Sequence, residues 1–173
     1  MKLIGRACRC FGMSTLTLDD LRQPRSLIIL AGFLVVVIGV GALIGITTAP
    51  GDWYASLDKP PFNPPNWIFA PVWLVLYVCI AIAGWRTYLL SPGGNGMNLW
   101  VSQMVLNWLW SPIFFALHLL WPAFVVIVLM LAVIASFIAD RWTKDRVAAW
   151  LFVPYFAWVA LATLLNAAVA VLN

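Results

Sequence analysis

The chain has 173 residues, of which 64% are hydrophobic and 9% are charged, and its mean hydropathy is +0.98. These values lie far outside the range of soluble domains and indicate an integral membrane protein with no room for a separate soluble domain. Its three cysteines, Cys8, Cys10 and Cys79, have neither the arrangement of a disulfide framework nor the spacing of metal ligands.

The first 26 residues are less hydrophobic than the rest and include Gly, Ser and Asp. We interpret residues 1–26 as a cytoplasmic N-terminal tail that is disordered. They lack the apolar core of a signal peptide, and Met13 is an alternative start to Met1. We expect Cys8 and Cys10 to be unmodified thiols, with palmitoylation as the alternative.

Five apolar runs follow, and each comes close to the roughly 20 residues that a helix needs to cross a bilayer. They cover residues 27–48, 67–90, 98–119, 122–139 and 147–171. We therefore predict an all-α membrane protein, with a bundle of five transmembrane helices in a single domain at residues 27–173.

The connection between the first two spans, here called the first loop, is polar and rich in proline. It reads WYASLDKPPFNPPNW over residues 53–67, and its prolines restrict its backbone. A stiff extramembrane loop of this kind is expected to cover something. We predict that it forms a lid between helices 1 and 2.

The remaining breaks between spans are shorter. Residues 99–139 form an apolar run of about twice the length that one span uses. His118 and Trp121-Pro122 divide this run, because an amphipathic tip suits the interface and a proline suits the first turn of a helix. The sequence also predicts a tight turn at 91–96 and a short charged turn at 140–146.

The ten basic residues indicate an orientation, because Lys and Arg near span ends are retained on the cytoplasmic side. All of them except Lys59 fall on one side of the predicted spans. This pattern places the N-terminus in the cytoplasm and the first loop and C-terminus outside, and it suits a bacterial inner membrane. The net charge of +4 is then a topology signal, and it gives no support to a nucleic-acid partner.

The spans carry little ionisable chemistry. No Asp, Glu, Lys or Arg lies deep in a predicted span, which argues against an ion-driven transporter, since such proteins place charges in the bundle interior. No nucleotide-binding loop, metal triad or nucleophile with an adjacent base is found, so no metal and no cofactor is required. His118, the single histidine, fits an interfacial tip better than a haem ligand.

Amides and aromatic rings are the polar groups left inside the spans, and they recur at helical spacing. The stripes are Trp73 and Tyr77 in the second span, Trp100, Gln103, Asn107, Trp110 and Phe114 in the third, and Tyr155, Trp158, Ala162 and Asn166 in the fifth. Because these groups need partners in hydrocarbon, the stripes are expected to point into the bundle. Together they would line a pocket for a large flat ligand.

Plainer interpretations of these residues stay open. Amide side chains can serve merely to bond one helix to another, and tryptophans near span ends belong by default to an interfacial belt. Pro112 and Pro154 each remove a backbone hydrogen bond and could kink their helices. Gly41 and Gly45 permit close helix contact, either within the bundle or with a second subunit.

These motifs, in this order, resemble the translocator protein family, also called TspO/MBR or tryptophan-rich sensory proteins, in its bacterial form. The resemblance covers nearly everything from about residue 30 onward. It is carried by WYxxLxKP from Trp53, PPxW from Pro64, PxWxxLY from Pro71, QxxLNxxWxPIFF from Gln103 and PYxxWxxxATxxN from Pro154.

The resemblance implies a five-helix bundle, commonly a homodimer, that binds protoporphyrin IX or haem and, in many members, isoquinoline-type drugs and sterols. It implies a pocket beneath the first loop, lined by Tyr54, Trp73, Asn107, Trp110, Trp158 and Ala162. The expected function is a tetrapyrrole receptor or sensor that regulates porphyrin metabolism or stress signalling.

The resemblance also implies two alternatives. One is an enzyme that degrades porphyrin with light and oxygen, with Trp73 and Trp158 as its catalytic indoles; the other is a passive conduit for porphyrin or lipid. Phe62 stands where many members have Trp, a change expected to keep the packing. The sterol motif of animal members is not matched after Asn166, so sterol binding through that motif is unsupported.

Overall fold

The computed structural model describes residues 16–173, and every regular element in that part of the chain is helical. The helices are α1 (Leu18–Arg22), α2 (Pro24–Thr47), α3 (Asp52–Ser56), α4 (Phe69–Leu90), α5 (Asn95–Ser111), α6 (Leu120–Lys144) and α7 (Arg146–Leu172). A 3-10 turn at Asn66–Ile68 precedes α4, and a π-helical turn at Pro112–Ala116 follows α5. The prediction of an all-α protein is confirmed.

Four segments of the described residues are long and apolar enough to cross a membrane. They have 24 to 27 residues and are α2, α4 with its preceding turn, α6 and α7. Helix α5 is shorter, at 17 residues, and continues directly into the five residues of the π-helical turn. The chain is therefore an integral membrane protein, and four of the five predicted spans meet this standard of length and hydropathy.

The helical part begins earlier than residue 27, where the sequence analysis placed the start of the first span. Thr17 and Asp20 form a reciprocal capping box that starts α1. Pro24 then occupies the first turn of α2, where its missing N–H costs no helical hydrogen bond. Cys8, Cys10 and Met13 lie outside the described residues.

The predicted division of the long apolar run is confirmed. The π-helical turn ends at Ala116 and α6 begins at Leu120, with Pro122 in its first turn. His118 lies in the connection with a φ of 58°, a left-handed conformation that non-glycine residues adopt only occasionally.

The predicted charged turn at 140–146 is wrong, because most of this segment is helical. Helix α6 continues to Lys144, α7 begins at Arg146, and Asp145 alone separates them. Lys144 pairs with Asp140 one turn earlier, and the Asp145 carboxylate accepts hydrogen bonds from the first backbone N–H groups of α7. The charges thus extend and cap the helices. The predicted tight turn at 91–96 is also shorter, since α5 begins at Asn95.

Charged and polar contacts bring several helix ends together in what we call the charged end. It comprises the start of α2, the end of α4, and the junction of α6 and α7. The Trp85 indole donates to the Ser26 carbonyl over 2.9 Å, and Arg86 binds both carboxylate oxygens of Asp145 at 2.8 and 2.9 Å. Arg141 is buried beside Asp140. α3 and the first loop lie at the opposite end, against the α5–α6 connection.

The core lies where α4, α5, α6 and α7 meet, with α2 packed on α4. Most of its buried side chains are apolar, and its tightest aromatic pair is Phe137 on α6 and Phe152 on α7, with ring centres 4.0 Å apart. Glycines allow two close approaches: a Cβ on Gly41 would lie 2.4 Å from the Tyr77 ring, and a Cβ on Gly84 would lie 2.4 Å from the Trp100 indole. Gly41 thus serves contact within the bundle.

The two prolines inside the spans behave differently. At Pro112 the regular helix gives way to the π-helical turn, and the Leu117 N–H bonds to the Pro112 carbonyl at 2.9 Å. π-Helical turns place an extra residue in the helix and are frequent near functional sites. Helix α7, in contrast, continues through Pro154 as an unbroken α-helix.

Candidate functional site

A buried hydrogen-bond network joins three helices at mid-bundle. Asn107 accepts from the Tyr77 hydroxyl at 3.3 Å and donates to the Tyr155 hydroxyl at 3.0 Å. The Tyr155 hydroxyl donates in turn to Gln103 Oε1 at 3.0 Å, and Gln103 Nε2 donates to the Trp100 carbonyl at 2.9 Å. The amides of α5 therefore point inward as expected, and they bond α4, α5 and α7 to one another.

A second polar link lies closer to the first loop. The Trp110 indole donates to Asn166 Oδ1 at 3.1 Å, and Asn166 Nδ2 donates to the Leu120 carbonyl at 3.0 Å. This link holds α5, α7 and the first residues of α6 together. The same Trp110 ring stacks on Phe114 of the π-helical turn, with ring centres 5.3 Å apart.

A small pocket lies directly beneath α3. Its volume is about 40 Å³, and its lining residues are Tyr54, Phe69, Trp110, Phe114, Phe115, Ala162, Leu165, Asn166 and Val169. These residues come from α3, the start of α4, the end of α5 with its π-helical turn, and α7. Most of the wall is aromatic, and the Asn166 amide is its polar member.

Aromatic contacts hold α3 over this pocket. The Trp53 indole stacks on the His118 ring with centres 3.9 Å apart, and the Tyr54 ring meets Phe115 edge-on at 5.3 Å. The loop after α3 is fastened to the end of the chain, because the Asp58 backbone and the Asn173 side chain exchange two hydrogen bonds. Partial burial raises the pKa of the Tyr54 phenol above its usual value, so this group is neutral at pH 7.

Lys59 lies on the outer side of Tyr54. Its Nζ is 4.7 Å from the centre of the Tyr54 ring, within the range of a cation–π contact. The same Nζ donates to the carbonyls of Ala55 and Leu57 at 3.2 and 3.0 Å. The ammonium group thus lies next to a residue that lines the pocket, at a place here called the rim.

A larger, open groove runs between α4 and α7. Its volume is about 630 Å³, and its lining residues are Pro71, Val72, Val75, Leu76, Pro154, Ala157, Trp158 and Leu161. The groove is apolar throughout and faces outward from the bundle. Phe69 lies between the groove and the small pocket, because its ring lines the pocket and meets the Trp158 ring edge-on at 5.6 Å.

The six residues expected around one pocket occupy three places in the structure. Tyr54, Trp110 and Ala162 line the small pocket, whereas Trp158 lines the groove. Asn107 belongs to the hydrogen-bond network, and Trp73 packs beside it against the Tyr77 and Tyr155 rings at 5.3 and 6.3 Å. The single cavity expected from the stripes is two neighbouring spaces, the pocket and the groove.

Several lining residues were not among the predicted site residues. Phe69 and Phe115 contribute whole rings to the pocket wall, yet each lies in a run of apolar residues where a phenylalanine carries no distinguishing signal. Within residues 16–173 no group of three or more His, Cys, Asp or Glu side chains is placed to hold a metal ion. The chemistry of the site is therefore aromatic and amide in character.

The pocket thus lies beneath a short helix and is lined by one tryptophan, Trp110 of α5, and one asparagine, Asn166 of α7. The model of the TspO/MBR family matches residues 33–172. The chain belongs to this family. The match covers α4 to α7, most of α2, and the first loop.

Relatives in this family come from bacteria, archaea and animals. Protein CrtK of Rhodobacter capsulatus is 39% identical over 152 residues, which cover 86% of this chain and 94% of that protein. The tryptophan-rich sensory protein of Cereibacter sphaeroides is 34% identical, with 74% and 81% covered. The translocator protein of Ovis aries is 37% identical, with 73% and 79% covered. The chain is thus a membrane protein of a family whose members are named as sensory and translocator proteins.

Proposed function

We propose that this TspO/MBR family protein is a membrane receptor or sensor that binds a flat hydrophobic tetrapyrrole, such as protoporphyrin IX or haem. The observation that carries the proposal is the aromatic pocket beneath α3, with Trp110 held by Asn166 in its wall. Flat ligands favour walls of aromatic rings with a few oriented polar groups. The first loop would act as the lid, regulating porphyrin metabolism or stress signalling through changes in lid or bundle contacts.

The proposed topology has five spans. Helix α5 and the π-helical turn that continues it would form the third span, which is shorter and more polar than the others because it carries the amide network. The clustering of Arg86, Arg141, Lys144 and Arg146 at the charged end supports a cytoplasmic location for that end. The first loop and C-terminus would then lie outside, in the inner membrane of a bacterium.

Binding would require the pocket to open. Ligand sites usually have volumes of about 300–1,000 Å³, so the pocket of about 40 Å³ is closed to a macrocycle. The adjoining groove of about 630 Å³ is of the right size. Movement of Phe69, which separates the two spaces, would join them and bring Trp158 into the ligand site.

Fluorescence titration tests the proposal. We expect protoporphyrin IX to quench the tryptophan fluorescence of the purified protein, and Trp158→Ala to raise the Kd by about two- to tenfold, since one aromatic contact contributes about 0.5–1.5 kcal/mol. The control is Trp142→Ala, which removes an exposed indole from the charged end, away from the pocket and the groove. Equal Kd values for the two variants would contradict the proposed site.

A degradative enzyme is the second candidate. It is favoured by the half-buried indole of Trp158, which lines the groove, and Trp73 would take part from its place beside Tyr155. Illumination of the protein with protoporphyrin IX in air distinguishes the candidates. Loss of the Soret band that slows in Trp73→Phe and Trp158→Phe would support the enzyme. A rate independent of both indoles would leave a receptor or a passive conduit.

We also propose that the protein forms a homodimer. Gly32 and Gly39 lie on one side of α2, two turns apart, and have open space where a Cβ would lie, so α2 presents a face that a second helix could approach closely. Cross-linking at Gly39→Cys in membranes would give a dimer band if α2 forms the interface. A monomer mass in native mass spectrometry would contradict the homodimer.

A further inference from the structure

Within residues 16–173, Lys59 is the one Lys or Arg at the end of the bundle where the first loop lies. Among residues 16–173, the other basic side chains lie at the charged end or in the segment that leads into α2. The acidic neighbours of Lys59 in the chain are Asp52 and Asp58, but the ion pairs found in the described residues join Arg86 to Asp145 and Arg141 and Lys144 to Asp140. Among residues 16–173, therefore, no carboxylate forms an ion pair with Lys59.

The Lys59 ammonium is oriented and has one hydrogen-bond donor to spare. An ammonium group has three N–H donors, and the carbonyls of Ala55 and Leu57 accept two of them. Both carbonyls belong to α3 or the residue after it, so the ammonium is fixed relative to Tyr54, which lines the pocket. The third donor is available to an acceptor that reaches the rim.

We propose that Lys59 binds a carboxylate of the ligand and so sets its orientation in the pocket, an inference that rests on the proposed function. A flat ligand with acidic groups on one edge cannot place that edge among the aromatic rings, since an unpaired buried carboxylate is very costly. The acidic edge must turn toward the first loop, where Asp52 and Asp58 would repel it and Lys59 would attract it. Lys59 then favours ligands that have a flat apolar ring system with carboxylates on one edge.

The test compares two probes that differ in this edge alone: protoporphyrin IX, which has two free carboxylates, and its dimethyl ester, which has none. We expect Lys59→Met to raise the Kd of protoporphyrin IX about tenfold, because a hydrogen bond to a charged group typically supports an effect of that size. The Kd of the dimethyl ester should change less than twofold. Lys59→Arg should restore most of the affinity for the free acid, and added salt should weaken it in wild type but not in Lys59→Met.

The matched control is Lys144→Met, which removes an exposed lysine at the charged end and should leave both Kd values unchanged. If Lys59→Met weakens both probes equally, its role is to shape the loop; if it weakens neither, the carboxylates lie elsewhere. Either result overturns the carboxylate contact while leaving the receptor function intact. If wild type binds neither probe, the receptor function fails and the contact fails with it.

Discussion

Gly84 sets the closest approach between α4 and α5, because the indole of Trp100 occupies the position that a Cβ would take. That indole is buried and donates to the Ile80 carbonyl at 2.9 Å, so it cannot move aside cheaply. We predict that Gly84→Ala destabilises the protein by about 1–3 kcal/mol, the usual cost of overpacking a core. Thermal unfolding in detergent measures the effect.

The control for this substitution is Gly45→Ala on α2. Nothing lies within 4 Å of a Cβ built at Gly45, and alanine is the better helix former. Its melting temperature should be equal to or slightly above that of wild type. Equal losses at both glycines would show that the α4–α5 contact is looser than described.

Tyr155 is the centre of the amide network, since its hydroxyl both accepts from Asn107 and donates to Gln103. We predict that Tyr155→Phe destabilises the protein by roughly 1 kcal/mol, because two buried amide groups lose a partner. Tyr88→Phe is the matched control, because Tyr88 is exposed. Chemical denaturation in mixed micelles compares the two variants, and a larger loss for Tyr88→Phe would contradict the network's importance.

The residue types of this network were readable in the sequence, but their partners were not. Steps of three and four residues predicted that Gln103, Asn107 and Trp110 share a face of the third span, and all three donate or accept hydrogen bonds inside the bundle. Which tyrosine or asparagine meets them depends on how far each helix slides along its neighbour. Spacing within one helix carries no information about that offset.

At the scale of elements, α3 has only five residues and depends on contacts outside itself, since a single turn is unstable alone. Its main contact is the stacking of Trp53 on His118. We predict that Trp53→Ala speeds hydrogen exchange at the amides of α3 by severalfold, since a stacked aromatic pair contributes about 0.5–1.5 kcal/mol. Trp67→Ala, which removes a largely exposed indole from the same loop, should leave the exchange unchanged.

Element boundaries show where sequence reasoning succeeds and where it fails. Pro122 marked the start of α6 correctly, because proline fits the first turn of a helix. The charged segment misled it, because Asp145 can equally sit in a loop or cap a helix. The structure shows the second, since the first N–H groups of α7 donate to its carboxylate. Likewise, nothing local indicates that Phe69 separates the pocket from the groove, since this follows from how α4 and α7 meet.

For the whole molecule, the charge asymmetry leads to a test of orientation. With the native cysteines replaced by serine, Ser56→Cys would report on α3 and Thr143→Cys on the charged end, both at exposed positions. We predict that a membrane-impermeant maleimide labels Ser56→Cys in intact bacterial cells and labels Thr143→Cys only after permeabilisation. The reverse pattern would contradict the proposed orientation, and labelling of both in intact cells would contradict the placement of α3 and the charged end on opposite sides.

The bidentate ion pair between Arg86 and Asp145 has a mechanical consequence. It joins the last turn of α4 to the cap of α7, and these same two helices form the walls of the groove. The walls are therefore joined to each other at the charged end, and they can separate at the opposite end, beside α3. Spin labels at Val75 and Ala157 should show a broader distance distribution than labels at Tyr88 and Val147, and Asp145→Asn should loosen the second pair.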